Sequence, residues 1–143
     1  MTLIAQLKRD EGTGPIDHEG RFHPYKDSVG KLTIGYGRNL DDGGISKDEA
    51  CLLLNNDVIA TASQLHAFLP WTDSLDEARR GVLINMAFNM GIYSLLKFKT
   101  TLALTEAGDY AGAAKQMLNS LWASQVGSRA HRLALQMESG QWQ

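Results

Sequence analysis

The hydrophobic period of this chain changes once along its length, and that change constrains the fold more than any single motif. Leu32, Ile34 and Tyr36 alternate with Thr33, Gly35 and Gly37, the repeat of a half-buried strand. From residue 45 onward the apolar residues recur every three or four positions, the spacing of amphipathic helices. The architecture that follows is α+β, with a small strand-bearing lobe near the N-terminus and a larger helical lobe.

Local signals place the elements. Thr2 can cap a short helix with Leu3, Ile4 and Leu7 on its apolar face and Gly12 as its stop. Residues 13–24 are rich in Gly, Pro, Asp and His and read as a loop. Tyr25 and Lys26 are placed to pair with the alternating stretch through a turn at Asp27-Ser28-Val29-Gly30. Ser46 and Glu49 form a capping box. Behind it Leu53, Leu54, Asp57, Val58, Thr61 and Leu65 keep helical spacing towards Pro70. A helix of roughly 20 residues spans about 30 Å, enough to connect two lobes. A second box, Ser74 to Glu77, opens an apolar helix closed by Gly91. Val82, Leu83, Met86, Ala87 and Met90 leave it little polar face, which makes it central. Shorter helices are predicted over 100–107, over 109–121 with Asp109 as cap, and over 128–139 ending at Gly140. The chain reads as a single domain over 1–143. About 13–45 forms the strand-bearing lobe, about 46–66 the connecting helix, and about 70–143 with helix 2–11 the helical lobe.

Composition narrows the function classes. With 143 residues, 43% of them hydrophobic, the chain can bury roughly two thirds of its unfolded surface in one core. Fourteen Lys+Arg against 16 Asp+Glu leave a net charge of -2, without the basic footprint of a general nucleic-acid binder. No apolar run approaches the roughly 18 residues of a membrane helix. The one cysteine, Cys51, excludes an intramolecular disulfide and a cysteine-rich zinc framework; its apolar neighbours suggest a small buried hydrophobe. The N-terminal MTLIAQLKRDEG has too short an apolar stretch for a signal peptide, so synthesis in the cytoplasm is expected.

Glu11 is the most informative residue. It falls in the last turn of the first helix, at the negative end of the macrodipole and beside Asp10. Both effects disfavour the ionised carboxylate, as suits a general acid, and both break the local rule for a stable helix end. An ordinary surface glutamate is the bland alternative. Asp27, at the hairpin turn, is a candidate second carboxylate or simply a turn former. Thr33 falls across that hairpin, with a hydroxyl able to hold a water. His18 and His23, flanked by Asp17 and Glu19, lack the spacing of the common two-histidine zinc motif. His66 and His131 read as helix-surface residues. In the stripe Met86, Phe88 and Met90, only Phe88 is a candidate for lining a cleft.

Glu11-Gly12 followed by Tyr25-Lys26-Asp27-Ser28-Val29-Gly30-Lys31-Leu32-Thr33-Ile34-Gly35-Tyr36-Gly37 resembles the active-site signature of phage-type lysozymes, the T-even and lambdoid endolysins. The likeness continues through Ile45 to Ala50, Asp73 to Asp76, Arg80 and Ile84 to Gly91. It returns at Trp122, Gln125, Ser128-Arg129-Ala130, Arg132 and Gly140-Gln141-Trp142. It runs nearly end to end and in order.

The resemblance implies a muramidase that cuts the β-1,4 bond between N-acetylmuramic acid and N-acetylglucosamine in peptidoglycan. Glu11 would be the general acid. Asp27 would assist the developing oxocarbenium charge or activate water, and Thr33 would position that water. Asn85, Phe88, Asn89, Trp122 and Gln125 would face the substrate, and Arg129 would fall where a guanidinium could hold Glu11. The resemblance implies no cofactor, no metal, no nucleic-acid partner and no membrane span, and a monomer acting on peptidoglycan after release by a separate membrane-permeabilising protein. This chain departs from the pattern twice. Twelve residues separate Gly12 from Tyr25, more than in T-even members, and they add Asp17 and Glu19. Arg38 stands where many members carry histidine, either paired with an acid, touching substrate, or solvated.

Overall fold

The computed structural model describes residues 2–143, which fall into two compact units, one running to Leu52 and the other from Leu53 to Gln143.

The first unit opens with α1 (Leu3–Glu11). The Thr2 hydroxyl accepts from the Ala5 N–H, and Gly12 ends the helix at φ 70, a conformation that costs glycine nothing. Three short strands follow: β1 (Tyr25–Lys26), β2 (Leu32–Ile34) and β3 (Arg38–Asn39). They form an antiparallel sheet in the order β1-β2-β3, with Thr33 opposite Tyr25 on one side and Asn39 on the other. The hairpin is as expected, but the strand stops at Ile34 and Tyr36 lies in a turn. Gly35 and Gly37, at φ 63 and 84, bend the chain there, and Arg38 returns to give a third strand that the alternation did not announce. The segment 13–24 is more ordered than a plain loop. Ile16 and Phe22 form an antiparallel bridge, flanked by bonds from Asp17 N–H to the Arg21 carbonyl and from His23 N–H to the Pro15 carbonyl, each 3.0 Å.

The capping box opens α2 (Lys47–Phe68): Ser46 N–H donates to Glu49 Oε2 at 2.7 Å, and Glu49 N–H to Ser46 Oγ at 3.1 Å. The one fully buried side chain of α2 is Leu65, near its far end. Cys51, at the opposite end, is exposed and not the buried hydrophobe its neighbours suggested.

The second unit is helical. A 3-10 turn (Pro70–Ser74) precedes α3 (Glu77–Met90), and the true N-cap of α3 is Asp76, whose carboxylate accepts from the Arg79 N–H. Ser74 is spent in the 3-10 turn, which is why the second capping box does not form. Then come α4 (Ile92–Leu95), α5 (Lys99–Glu106), α6 (Tyr110–Leu118), α7 (Leu121–Val126) and α8 (Ser128–Ser139). The expected helix over 109–121 is broken at Ser120, which caps α7. The core gathers on α3, where Val82, Leu83 and Met86 have no exposed surface, with Leu95, Met117 and Met137 from α4, α6 and α8. Each such side chain contributes roughly 1.5–3 kcal/mol of burial.

Helix α8 is fastened to α3 by polar side chains. Arg79 donates to the Met137 carbonyl from Nε at 2.7 Å and to the Glu138 carbonyl from Nη2 at 2.8 Å, and its guanidinium lies 3.7 Å from the ring centre of Tyr110. It thereby satisfies carbonyls at the α8 C-terminus that have no partner within the helix. Gln136, buried, donates from Nε2 to the Ala78 carbonyl at 2.8 Å.

Among the described residues no helix is long and apolar enough to cross a membrane.

Candidate active site

Glu11 ends α1, exposed, with its Oε2 3.1 Å from the position a β-carbon on Gly37 would take. The carboxylate rests against the turn between β2 and β3, and a side chain at 37 would push it away. One turn earlier on α1, Lys8 holds its Nζ 5.0 Å from the ring centre of Tyr36. Asp10, the other acid of this helix end, pairs with Arg9 at 2.9 Å.

Asp27 is half-buried at the hairpin turn. Its Oδ1 accepts from Val29 N–H at 3.0 Å and from Lys31 N–H at 2.8 Å. Oδ2 has no hydrogen-bond partner among the described residues. One oxygen therefore builds the turn while the other stays open to a water or a substrate. Thr33 is 3% exposed, and its hydroxyl donates to the Lys31 carbonyl at 3.1 Å. The same carbonyl accepts the Asp27 N–H at 2.9 Å, so Asp27 and Thr33 share one anchor.

The acids of segment 13–24 are engaged inside it. Asp17 Oδ2 meets His23 Nε2 at 2.8 Å, and its Oδ1 takes the Glu19 and Arg21 N–H groups at 2.9 Å each. The His23 bond first, then the Arg21 N–H, hold its carboxyl below the usual range. Glu19 pairs with Arg21 at 3.1 Å. Arg38 remains exposed, and both its terminal nitrogens are bonded to Glu49, so it is paired with an acid.

The second unit has a groove of about 380 Å³, lined by Leu54, Val58, Gly81, Ile84, Asn85, Phe88, Arg129 and Trp142. Arg129 donates to Asn85 Oδ1 from Nε at 2.9 Å and from Nη2 at 2.6 Å, so the amide oxygen fixes the guanidinium. Phe88 is 42% exposed, in contrast to the buried Met86 of the same stripe. Trp122 is 6% exposed, edge-on to Phe98, and donates from Nε1 to Asn89 Oδ1 at 2.9 Å. It belongs to the core and reaches the surface through Asn89. Gln125 is exposed on α7.

The chain matches the phage lysozyme family over residues 16–136. It belongs to that family. Membership implies a glycoside hydrolase of the lysozyme and endolysin type, and the α+β architecture agrees. It is 31% identical to a probable T4-type lysozyme of Dictyostelium discoideum, across 97% of this chain and 95% of that protein. It is 34% identical to a SAR-endolysin of Bacteriophage PS119, across 73% of this chain and 66% of that protein. Similarity at 27% identity extends to the pre-baseplate central spike protein of Enterobacteria phage T4, where 98% of this chain covers 28% of the larger protein. The family match begins after Glu11.

Two residues beside the seat of Glu11 escaped sequence reasoning: Lys8, three residues before it, and Tyr36, next to Gly37. The available signal was the helical offset of three that puts Lys8 and Glu11 on one face.

Proposed function

We propose that this protein is an N-acetylmuramidase that hydrolyses the β-1,4 bond between N-acetylmuramic acid and N-acetylglucosamine, with lysis of the host cell as the outcome. Glu11 is the general acid that protonates the leaving oxygen. Asp27, through its open Oδ2, supports the oxocarbenium charge or activates water, and Thr33 positions that water. Asn85, Phe88, Asn89, Gln125 and Arg129 bind the glycan, and Trp122 orients Asn89. The observation that carries this reading is the exposed Glu11 carboxylate seated on Gly37, in the same small unit as a second carboxylate with a free oxygen. A pair of carboxyl groups is what glycosidic hydrolysis requires. The protein acts as a monomer on peptidoglycan in the periplasm or cell wall, released there by a separate membrane-permeabilising protein, and it needs no cofactor.

Mass spectrometry of muropeptides released by the purified protein tests this directly. Hydrolysis yields reducing ends that carry the added water, whereas products lighter by one water would mark a lytic transglycosylase. Glu11→Gln, which cannot donate the proton, is expected to lose activity by roughly 10²–10⁴-fold; a folded, active variant would remove Glu11 from the role.

A further inference from the structure

We propose that Phe22, Tyr36 and Lys8 form a brace that holds Glu11 in its working position, which gives segment 13–24 a part in catalysis. The proposal rests on the reading of Glu11 as the general acid.

The ring of Tyr36 has two partners. Phe22 meets it edge-on, with ring centres 5.4 Å apart and planes at 60°, and Lys8 Nζ sits 5.0 Å from its centre. Tyr36 and Gly37 are consecutive, while Lys8 and Glu11 are three apart on one face of α1, so two adjacent residues of the turn receive two adjacent residues of the helix face. A rotation of α1 about its axis that moves Glu11 off Gly37 also moves Lys8 off the ring. The ring is placed in turn by Phe22, which the bridge to Ile16 ties into the segment. The start of that segment is pressed on the sheet, for the Tyr25 ring occupies the place that a β-carbon on Gly14 would take. Only the face and edge of the Tyr36 ring take part. Its hydroxyl makes no hydrogen bond among the described residues.

These three side chains are positioning residues, and their loss should move the acid without removing substrate contacts. A misplacement of about 1 Å costs roughly 10²-fold in rate, so partial loosening should cost roughly tenfold. The experiment measures kcat and KM on soluble peptidoglycan oligomers, with circular dichroism melts to establish folding. Tyr36→Leu, Phe22→Leu and Lys8→Met should each lower kcat roughly tenfold and leave KM nearly unchanged. Tyr36→Phe and Lys8→Arg should rescue, because each keeps the cation-ring contact. Lys8 is exposed, so Lys8→Met keeps the test valid if an aromatic variant fails to fold. The double variant Tyr36→Leu with Lys8→Met should be no slower than either single one, since both break one device. A rise in KM at constant kcat, damage by Tyr36→Phe equal to that of Tyr36→Leu, or wild-type kinetics in folded Lys8→Met would each overturn the brace. Glu11→Gln assayed in parallel separates the two readings. If it stays active, the acid is misassigned; if it is inactive while the brace variants behave as wild type, only the brace fails.

Discussion

Arg38 lays Nη1 and Nη2 against the two carboxylate oxygens of Glu49, each at 2.7 Å, and closes the chain between β3 and the start of α2. The same carboxylate takes the Ser46 N–H of the capping box. The Arg38 bonds first, and the Ser46 N–H after them, bring the Glu49 carboxyl down to about 2 from its usual 4.5, and Arg38 is raised in return.

A depressed carboxylate stabilises the fold above its unfolded pKa and loses that contribution as pH falls through the folded one. The Arg38–Glu49 pair should therefore act fully above about pH 4.5 and fade between there and about pH 2. Glu49→Gln keeps an acceptor for Ser46 and removes the charge. Its melting temperature should lie below wild type at neutral pH, with the gap narrowing across that acid window. A gap that is constant down to pH 2 would show that the lost charge is not responsible.

Asp27→Asn should cripple turnover, whereas Asp17→Asn and Glu19→Gln should not. Asp17 and Glu19 spend their oxygens on His23, Arg21 and local N–H groups; Asp27 spends one and keeps the other. Since the amide oxygen can still build the Asp27 turn, the loss should fall on rate and not on folding. Steady-state kinetics of the three variants, beside their melts, checks this, and an active Asp27→Asn with an inactive loop variant would reassign the second carboxylate.

Gln136→Leu should destabilise the helical unit by about 1 kcal/mol, because it removes a buried hydrogen bond to the Ala78 carbonyl and the acceptor of the Gln143 N–H. Urea unfolding with an unchanged slope would read this as lost stability. An unchanged midpoint would mean that water replaces the amide at no cost.

Lysis should weaken with added salt less steeply than for a strongly basic lysozyme, since the net charge is only -2. Arg129 and Arg132 line a second groove with Asn85, Leu133 and Gln136, and this local basic face should leave some salt dependence. Lysis rate against ionic strength, with a basic lysozyme alongside, is the measurement; equal slopes would assign wall binding to local patches and not to net charge.

What was legible in the sequence is what is encoded locally. The helix α8, over Ser128–Ser139 with Gly140 at its end, carries its stop signal in one glycine at φ 69, and the Ser46–Glu49 box is written in four residues. The break between α6 and α7 was not legible, because Ser120 interrupts an apolar pattern that continues through Leu118 and Leu121. The seat of Glu11 was hidden for a different reason. Motif reading singles out the acid, but the surface that receives it comes from Gly37, more than twenty residues further on, and only the sheet turn brings them together. Trp122 shows the converse: the motif names it as substrate-facing, and packing buries it behind Asn89.

The fastening of α3 to α8 also sets a timetable. Arg79 and Ala78 reach partners 58 residues downstream. A ribosome adding about 5–20 residues per second needs roughly 3–12 seconds to make that stretch. For those seconds Val82, Leu83 and Met86 already exist while the helix that helps to cover them has yet to be made. The apolar face of α3 can complete its burial only once α8 has been made.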